Sequence, residues 1–108
     1  MTFQAAAHVD DVWRGEMRGC VVDGVPVLLV GADQGLHAYE DRCAHQGVRL
    51  SDGRLEGGEI VCRAHEWRFD ACTGWCKNPR NERLRPIALR VEGDLILVDV
   101  HAATGDEP

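Results

Sequence analysis

No apolar run in this sequence approaches the roughly 20 residues needed to cross a bilayer. The longest, Val25-Pro26-Val27-Leu28-Leu29-Val30, has the length of a strand. The first residues, Met1-Thr2-Phe3-Gln4-Ala5-Ala6-Ala7, lack a basic stretch and a long apolar core, so they do not read as an export signal. A cytoplasmic protein without membrane contact is the expectation. Positive charge is in deficit: 12 Lys and Arg stand against 18 Asp and Glu, a net charge of −6. Nucleic acid, whose phosphates require basic stripes, is therefore not an expected partner. The acidity falls mainly on residues 1–39 and the tail, where it serves solubility and would also steer a basic partner. Internal repeats, low-complexity tracts and linkers are missing as well.

What remains is a chain of 108 residues, read as one domain over 1–108 with a frayed tail at 102–108. A domain this short is only marginally stabilised by its core, and a bound metal centre would add folding free energy. The apolar fraction of 44% is ordinary for a globular protein.

Strand signals recur at short spacing. Cys20-Val21-Val22 and Val25 to Val30 flank Asp23-Gly24, a dipeptide that supplies the positive φ angles of a tight hairpin turn. Leu36 to Tyr39 follows a Gly-rich turn at 31–35. Glu59-Ile60-Val61 and Trp67-Arg68-Phe69-Asp70 read as further strands, the second by its alternation of apolar and polar residues. Ile87 to Val91 and Leu95 to Val100 flank Glu92-Gly93-Asp94 as a closing hairpin. The one helix expected is short, Asp10 to Arg14, with Asp10 as its N-cap. Many short strands with Gly-rich turns imply an all-β fold, a small antiparallel sandwich or barrel.

The five cysteines are odd in number, which argues against a complete disulfide framework and for metal ligation by some of them. Two segments, Cys43-Ala44-His45-Gln46-Gly47 and Cys62-Arg63-Ala64-His65-Glu66-Trp67, each offer one thiol and one imidazole. A zinc site usually pairs like with like, Cys with Cys and His with His. Here each half is mixed, as a [2Fe–2S] cluster with two Cys on one iron and two His on the other requires. The spacing Cys-x-His-x16-Cys-x-x-His is the Rieske pattern and makes Cys43, His45, Cys62 and His65 the candidate ligands. A zinc site, or two buried thiols beside unrelated histidines, are the other readings of these four residues.

The stretches Cys43 to Gly53 and Leu55 to Asp70, with Thr73-Gly74, Asn78-Pro79 and the closing hairpin, resemble the Rieske ferredoxin component of bacterial toluene and related hydrocarbon monooxygenases. The resemblance runs from about residue 17 to residue 100. It implies a Rieske fold with a cluster-binding subdomain of two loops within residues 40–80, and one [2Fe–2S] cluster. It also implies a one-electron carrier between an NADH-dependent flavin reductase and a di-iron hydroxylase. Such a carrier does no substrate chemistry itself, docks transiently with both partners and is a monomer. The ferredoxin of a Rieske-type aromatic-ring dioxygenase and a Rieske-like reductase subunit are the alternative roles.

The resemblance also separates this chain from respiratory Rieske proteins, whose two loops carry a disulfide at positions occupied here by Val48 and Ala64, and a serine where Trp67 stands. Fewer donors to the cluster imply a potential in the lower part of the range of about −150 to +300 mV for such centres. Around the ligands, Gly47 lets a backbone N–H approach a bridging sulfide, or simply closes a tight loop. Gln46 follows the first ligand pair. Trp67 either limits water at the cluster or fills the core. Pro79, after Asn78, forms a third covering loop by resemblance and a plain turn by itself. Cys72 and Cys76 are expected to be free thiols, with Cys72 facing Trp75 across a two-residue Thr73-Gly74 turn; Cys20 is expected to be a small core residue. His8, His37 and His101 read as structural or exposed. Trp13 and Trp75 fit core, surface or docking roles equally.

Overall fold

A computed structural model of the chain describes residues 3–33, 35–42, 48–63, 67–76 and 83–101. Among these residues nine strands run in the order β1 (Gln4–His8), β2 (Met17–Val22), β3 (Val25–Ala32), β4 (Gly35–Glu40), β5 (Arg54–Glu56), β6 (Glu59–Val61), β7 (Arg68–Asp70), β8 (Pro86–Glu92) and β9 (Leu95–Asp99). Six of them form an antiparallel sheet in the order β1-β9-β8-β4-β3-β2, and three form a small sheet in the order β5-β6-β7. The all-β class is as the sequence implies.

The tight turns follow from local chemistry. Val22 pairs with Val25 across Asp23-Gly24, whose φ angles of 51° and 78° are both positive. Both residues must be left-handed in a turn of this type, and Asp and Gly tolerate that best. Glu56 pairs with Glu59 across Gly57-Gly58 by the same device.

The apolar run of β3 is buried on both faces. Val27 and Leu29 face a core with Val12, Ala38, Ile87, Ile96 and Val98. Leu28 and Val30 face a second core with Tyr39, Leu50, Ile60, Phe69 and Leu84. Side chains alternate along a strand, so one continuous run serves both cores. The second core joins the small sheet to the large one.

Sequence-distant strands meet where β4 pairs with β8, Ala38 opposite Ile87 and Tyr39 opposite Pro86. Residues 41–85 are therefore one excursion between neighbouring strands, and they build the small sheet and carry both cysteine–histidine segments. The excursion is tied at its root. Glu40 N–H donates to the Arg85 carbonyl (2.9 Å), Asp41 N–H to the Pro26 carbonyl (2.9 Å), and the Arg85 guanidinium to the Val100 carbonyl (2.6 Å).

Two expectations need correction, and one strand is additional. In place of a helix over Asp10–Arg14 there is a single 3-10 turn at Val9–Asp11, capped by His8. The His8 ring accepts from Asp10 N–H, and the Asp11 carboxylate accepts from His8 N–H, so the turn is closed before a helix can extend. Residues 4–8, for which the sequence suggested no element, form a strand against β9, with a register shift between Ala5 and Ala7. Second, Cys72 does not face Trp75: Phe69 is bridged to Cys76, and Asp70 N–H donates to the Trp75 carbonyl. The Asp70 carboxylate accepts from the N–H groups of both Cys72 and Thr73 (2.8 and 3.1 Å), which widens the turn beyond two residues.

Candidate metal centre

The second ligand segment begins where β6 ends. Cys62 is fully buried in the core that joins the two sheets. Its N–H donates to the Trp67 carbonyl at 2.8 Å, which ties Cys62 to the residue that enters β7. Trp67 is half-buried and packs against the same core, so the core-filling role is realised. The first ligand segment leaves β4 through Asp41 and Arg42 and re-enters the described structure at Val48. Cys43, His45, Gln46, Gly47, His65 and Pro79 lie outside the described residues.

The bases of the two loops are fastened to each other through the 3-10 turn Leu50–Asp52. The buried Asp41 carboxylate accepts from Ser51 N–H at 2.9 Å and from the Ser51 hydroxyl at 2.7 Å. At the other end of the turn Gly53 lies so close to β6 that a Cβ there would strike the Val61 carbonyl oxygen. Asp41 is two residues before Cys43, and Val61 is one before Cys62. Gly19 of β2 covers the clamp: a Cβ on it would lie 2.8 Å from the Asp41 carboxylate and 2.7 Å from the Ser51 hydroxyl. None of Asp41, Ser51 and Gly53 stands out in the sequence. The one available signal is that Asp41 and Val61 sit within two residues of the ligand motifs.

The outer face of the small sheet is laced by charge. Glu56 on β5 accepts from Arg54 (2.7 Å) and from Arg68 on β7 (3.0 Å), and Arg68 also donates to Glu59 on β6 (3.1 Å). These hydrogen bonds hold the Glu56 carboxyl below its ordinary pKa of 4.5. Tyr39, where the small sheet meets β4, donates to the Ala71 carbonyl at 2.8 Å. Burial raises its phenol pKa well above the ordinary value, and the nearby Cys72 and Asp70 push the same way.

The donor set fits a mixed-ligand iron–sulfur cluster. Cys62 places its sulfur in an apolar core, where a lone thiolate is costly and a metal bond offsets the charge. None of Cys20, Cys62, Cys72 and Cys76 forms a disulfide, as expected for Cys72 and Cys76. Cys20 is part-buried beside the core that contains Val27 and Leu29. His8 is the cap described above, His37 stacks on Tyr39, and His101 is an exposed partner of Asp23 at 2.7 Å. Trp13 and Trp75 are surface residues, 64% and 46% exposed. Arg83 lies over the Trp75 ring at 5.4 Å. Among the described residues no helix is long and apolar enough to cross a membrane.

Comparison with known proteins points to one family. The family model described as the Rieske [2Fe-2S] domain matches residues 2–89. The ferredoxin component of the alkene monooxygenase system of Xanthobacter autotrophicus is 44% identical over 91 residues, covering 83% of this chain and 75% of that protein. The solved ferredoxin of carbazole 1,9a-dioxygenase from Nocardioides aromaticivorans IC177 superposes with a TM-score of 0.79 at 31% identity, covering 91% of this chain and 97% of that one. A chain in the complex of reduced oxygenase and oxidized ferredoxin in carbazole 1,9a-dioxygenase gives a TM-score of 0.79 at 26% identity, covering 89% of this chain and 91% of that one.

Proposed function

The chain belongs to the Rieske [2Fe-2S] domain family, and from that premise we propose that it is the ferredoxin of a multicomponent monooxygenase. In this reading it carries single electrons from an NADH-dependent flavin reductase to the di-iron hydroxylase that oxidises an aromatic or alkene substrate. Cys43 and Cys62 would hold one iron and His45 and His65 the other. When bound, the cluster supplies reversible one-electron storage. The protein's own part is to bury Cys62, tie its N–H to the Trp67 carbonyl, and hold the two loop bases together by Asp41, Ser51 and Gly53. The chain acts as a monomeric, cytoplasmic carrier over one domain and docks transiently, since it must visit two partners.

The observation that carries this reading is the buried Cys62 at the head of a Cys-x-x-His loop inside the matched region. The 44% identity to an alkene monooxygenase ferredoxin favours a monooxygenase as the recipient. The 31% identity to a dioxygenase ferredoxin supports the second reading, service to a Rieske-type ring dioxygenase.

Iron and acid-labile sulfide counted on the purified protein, with EPR of the dithionite-reduced sample, test the assignment. The expected result is about two of each per chain and a rhombic signal whose average g lies below the free-electron value. Cys62→Ser should lose the iron. Zinc in place of iron with a silent spectrum overturns the function. A redox titration should place the midpoint in the lower part of the range of about −150 to +300 mV, and a value far above zero would contradict the expectation of few hydrogen-bond donors to the cluster.

A further inference from the structure

Asp41 and Asp99 are the two buried charged residues among the described residues. Asp99 ends β9 in the large sheet. Asp41 stands at the root of the excursion, two residues before Cys43. Consecutive Cα atoms are about 3.8 Å apart, so the Asp41 Cα lies no more than about 7.6 Å from that of Cys43. The clamp brings the same carboxylate toward the second ligand segment. Asp41 holds Ser51 by two hydrogen bonds. Two residues further on, a Cβ at Gly53 would strike the Val61 carbonyl oxygen and lie 3.3 Å from the Arg63 nitrogen. Those two groups flank Cys62 on either side.

Both oxygens of Asp41 are acceptors, one for the Ser51 N–H and one for the Ser51 hydroxyl, which is the arrangement of an ionised carboxylate. Its charge already acts on a sulfur of β2: burial raises the Cys20 thiol pKa most, Arg18 lowers it, and Asp41 raises it. Other charges lie near the clamp. Glu40 is half-buried, and Arg18, Arg42, Arg49, Asp52 and Arg63 are exposed. Water and salt screen exposed charges strongly and buried ones far less. Burial therefore separates Asp41 from its charged neighbours, and Cys62 lies in the apolar core that joins the two sheets.

We propose that Asp41 is a tuning residue as well as a clamp, its buried negative charge lowering the reduction potential of the [2Fe–2S] group that Cys43, His45, Cys62 and His65 would hold. The proposal rests on the carrier reading above and adds a residue that sets how readily the carrier gives up its electron. Two thiolates and two neutral imidazoles leave such a group neutral when oxidised and negative when reduced. A fixed negative charge nearby opposes the added electron, and a low-dielectric path strengthens that opposition.

The test is an optical redox titration of the cluster-loaded protein, with iron per chain and EPR g values recorded on the same samples. Asp41→Asn removes the charge and keeps the shape, since the amide oxygen can still accept from Ser51 N–H. It should raise the reduced-to-oxidised ratio at a fixed potential roughly tenfold, about 59 mV for a one-electron couple, with the g values unchanged. The difference should persist from about 10 mM to about 1 M salt, where a surface effect would be screened away. Asp52→Asn makes the same change of net charge at an exposed carboxylate outside the clamp's own groups, and should shift the ratio by less than about twofold. Ser51→Ala keeps the charge and removes a hydroxyl that offsets part of it, so its midpoint should fall. A rise in both Asp41→Asn and Ser51→Ala points to a loosened clamp and overturns the proposal. An unchanged or lowered midpoint in Asp41→Asn overturns it, as does an equal rise in Asp52→Asn. If Asp41→Asn holds no iron, Ser51→Ala decides: a fall supports the charge effect, and a rise or no change overturns it. A wild-type protein that binds no iron overturns the carrier reading instead.

Discussion

Asp41 and Ser51 are joined twice: the buried carboxylate takes the Ser51 N–H on one oxygen and the Ser51 hydroxyl on the other, at 2.9 and 2.7 Å. Asp41 is only 4% exposed, so removing a donor leaves a desolvated carboxylate oxygen short of a partner. Ser51→Ala should destabilise the protein by about 1–3 kcal/mol in urea unfolding. Asp41→Ala should cost more, because it also orphans Ser51 N–H, and it should lower the iron bound per chain. Full iron content and an unchanged urea midpoint in Asp41→Ala would show that the clamp does not hold the loop bases.

Gly53 and Gly31 make a matched pair. A Cβ at Gly53 would strike the Val61 carbonyl, next to Cys62; a Cβ at Gly31 would strike the Trp13 carbonyl, in the large sheet. Both contacts are with backbone and do not give easily. Either alanine should lower stability by about 1–3 kcal/mol. Only Gly53→Ala should also reduce the iron bound by the folded fraction. Equal iron loss in both would point to general unfolding.

The chain has a single tyrosine, which makes its titration readable. Burial raises the Tyr39 pKa in the folded state above the ordinary value of 10.0. A folded pKa above the unfolded one gives stability that is complete below pH 10 and declines as pH rises further. Phenolate absorbance near 295 nm should therefore appear only with unfolding, above the normal titration range. Tyr39→Phe should remove that alkaline component and cost about 1–2 kcal/mol at neutral pH through the unpartnered Ala71 carbonyl. Phenolate forming near pH 10 in the folded protein would refute the burial argument.

Glu56 works in the opposite direction. Hydrogen bonds from Arg54 and Arg68 lower its folded pKa below 4.5, so its contribution is present above that value and fades as pH falls through the depressed one. The pair is solvent-exposed, so the effect is small and weakens with salt. Comparing the melting temperature of the wild type and Glu56→Gln between about pH 5 and pH 3 should show a shallower acid slope in the variant. Parallel slopes would mean that the ladder across β5, β6 and β7 carries no net stability.

Much of the fold is legible because it is local. Asp23-Gly24 and Glu92-Gly93-Asp94 are turns by virtue of their own φ preferences, and Val25 to Val30 is a strand by length and composition. Other elements have no such signature. The alanines of β1 favour helix intrinsically and are extended only because β9 offers them an unpaired edge. Arg54-Leu55-Glu56 is a strand because Glu59–Val61 of β6 lies across from it and Arg68 of β7 reaches over to Glu56, not because of its own residues.

The same division holds at the centre. The amino-acid sequence alone determined the donor types and their spacing, since two Cys-plus-His segments are a property of neighbours along the chain. Tertiary structure decided that Cys62 is sealed in a core, that Trp13 and Trp75 face solvent, and that Asp41 finds Ser51. Those facts depend on which distant residues are brought within a few ångströms. Packing energy summed over the whole domain selects such neighbours, and no short stretch of sequence contains that sum.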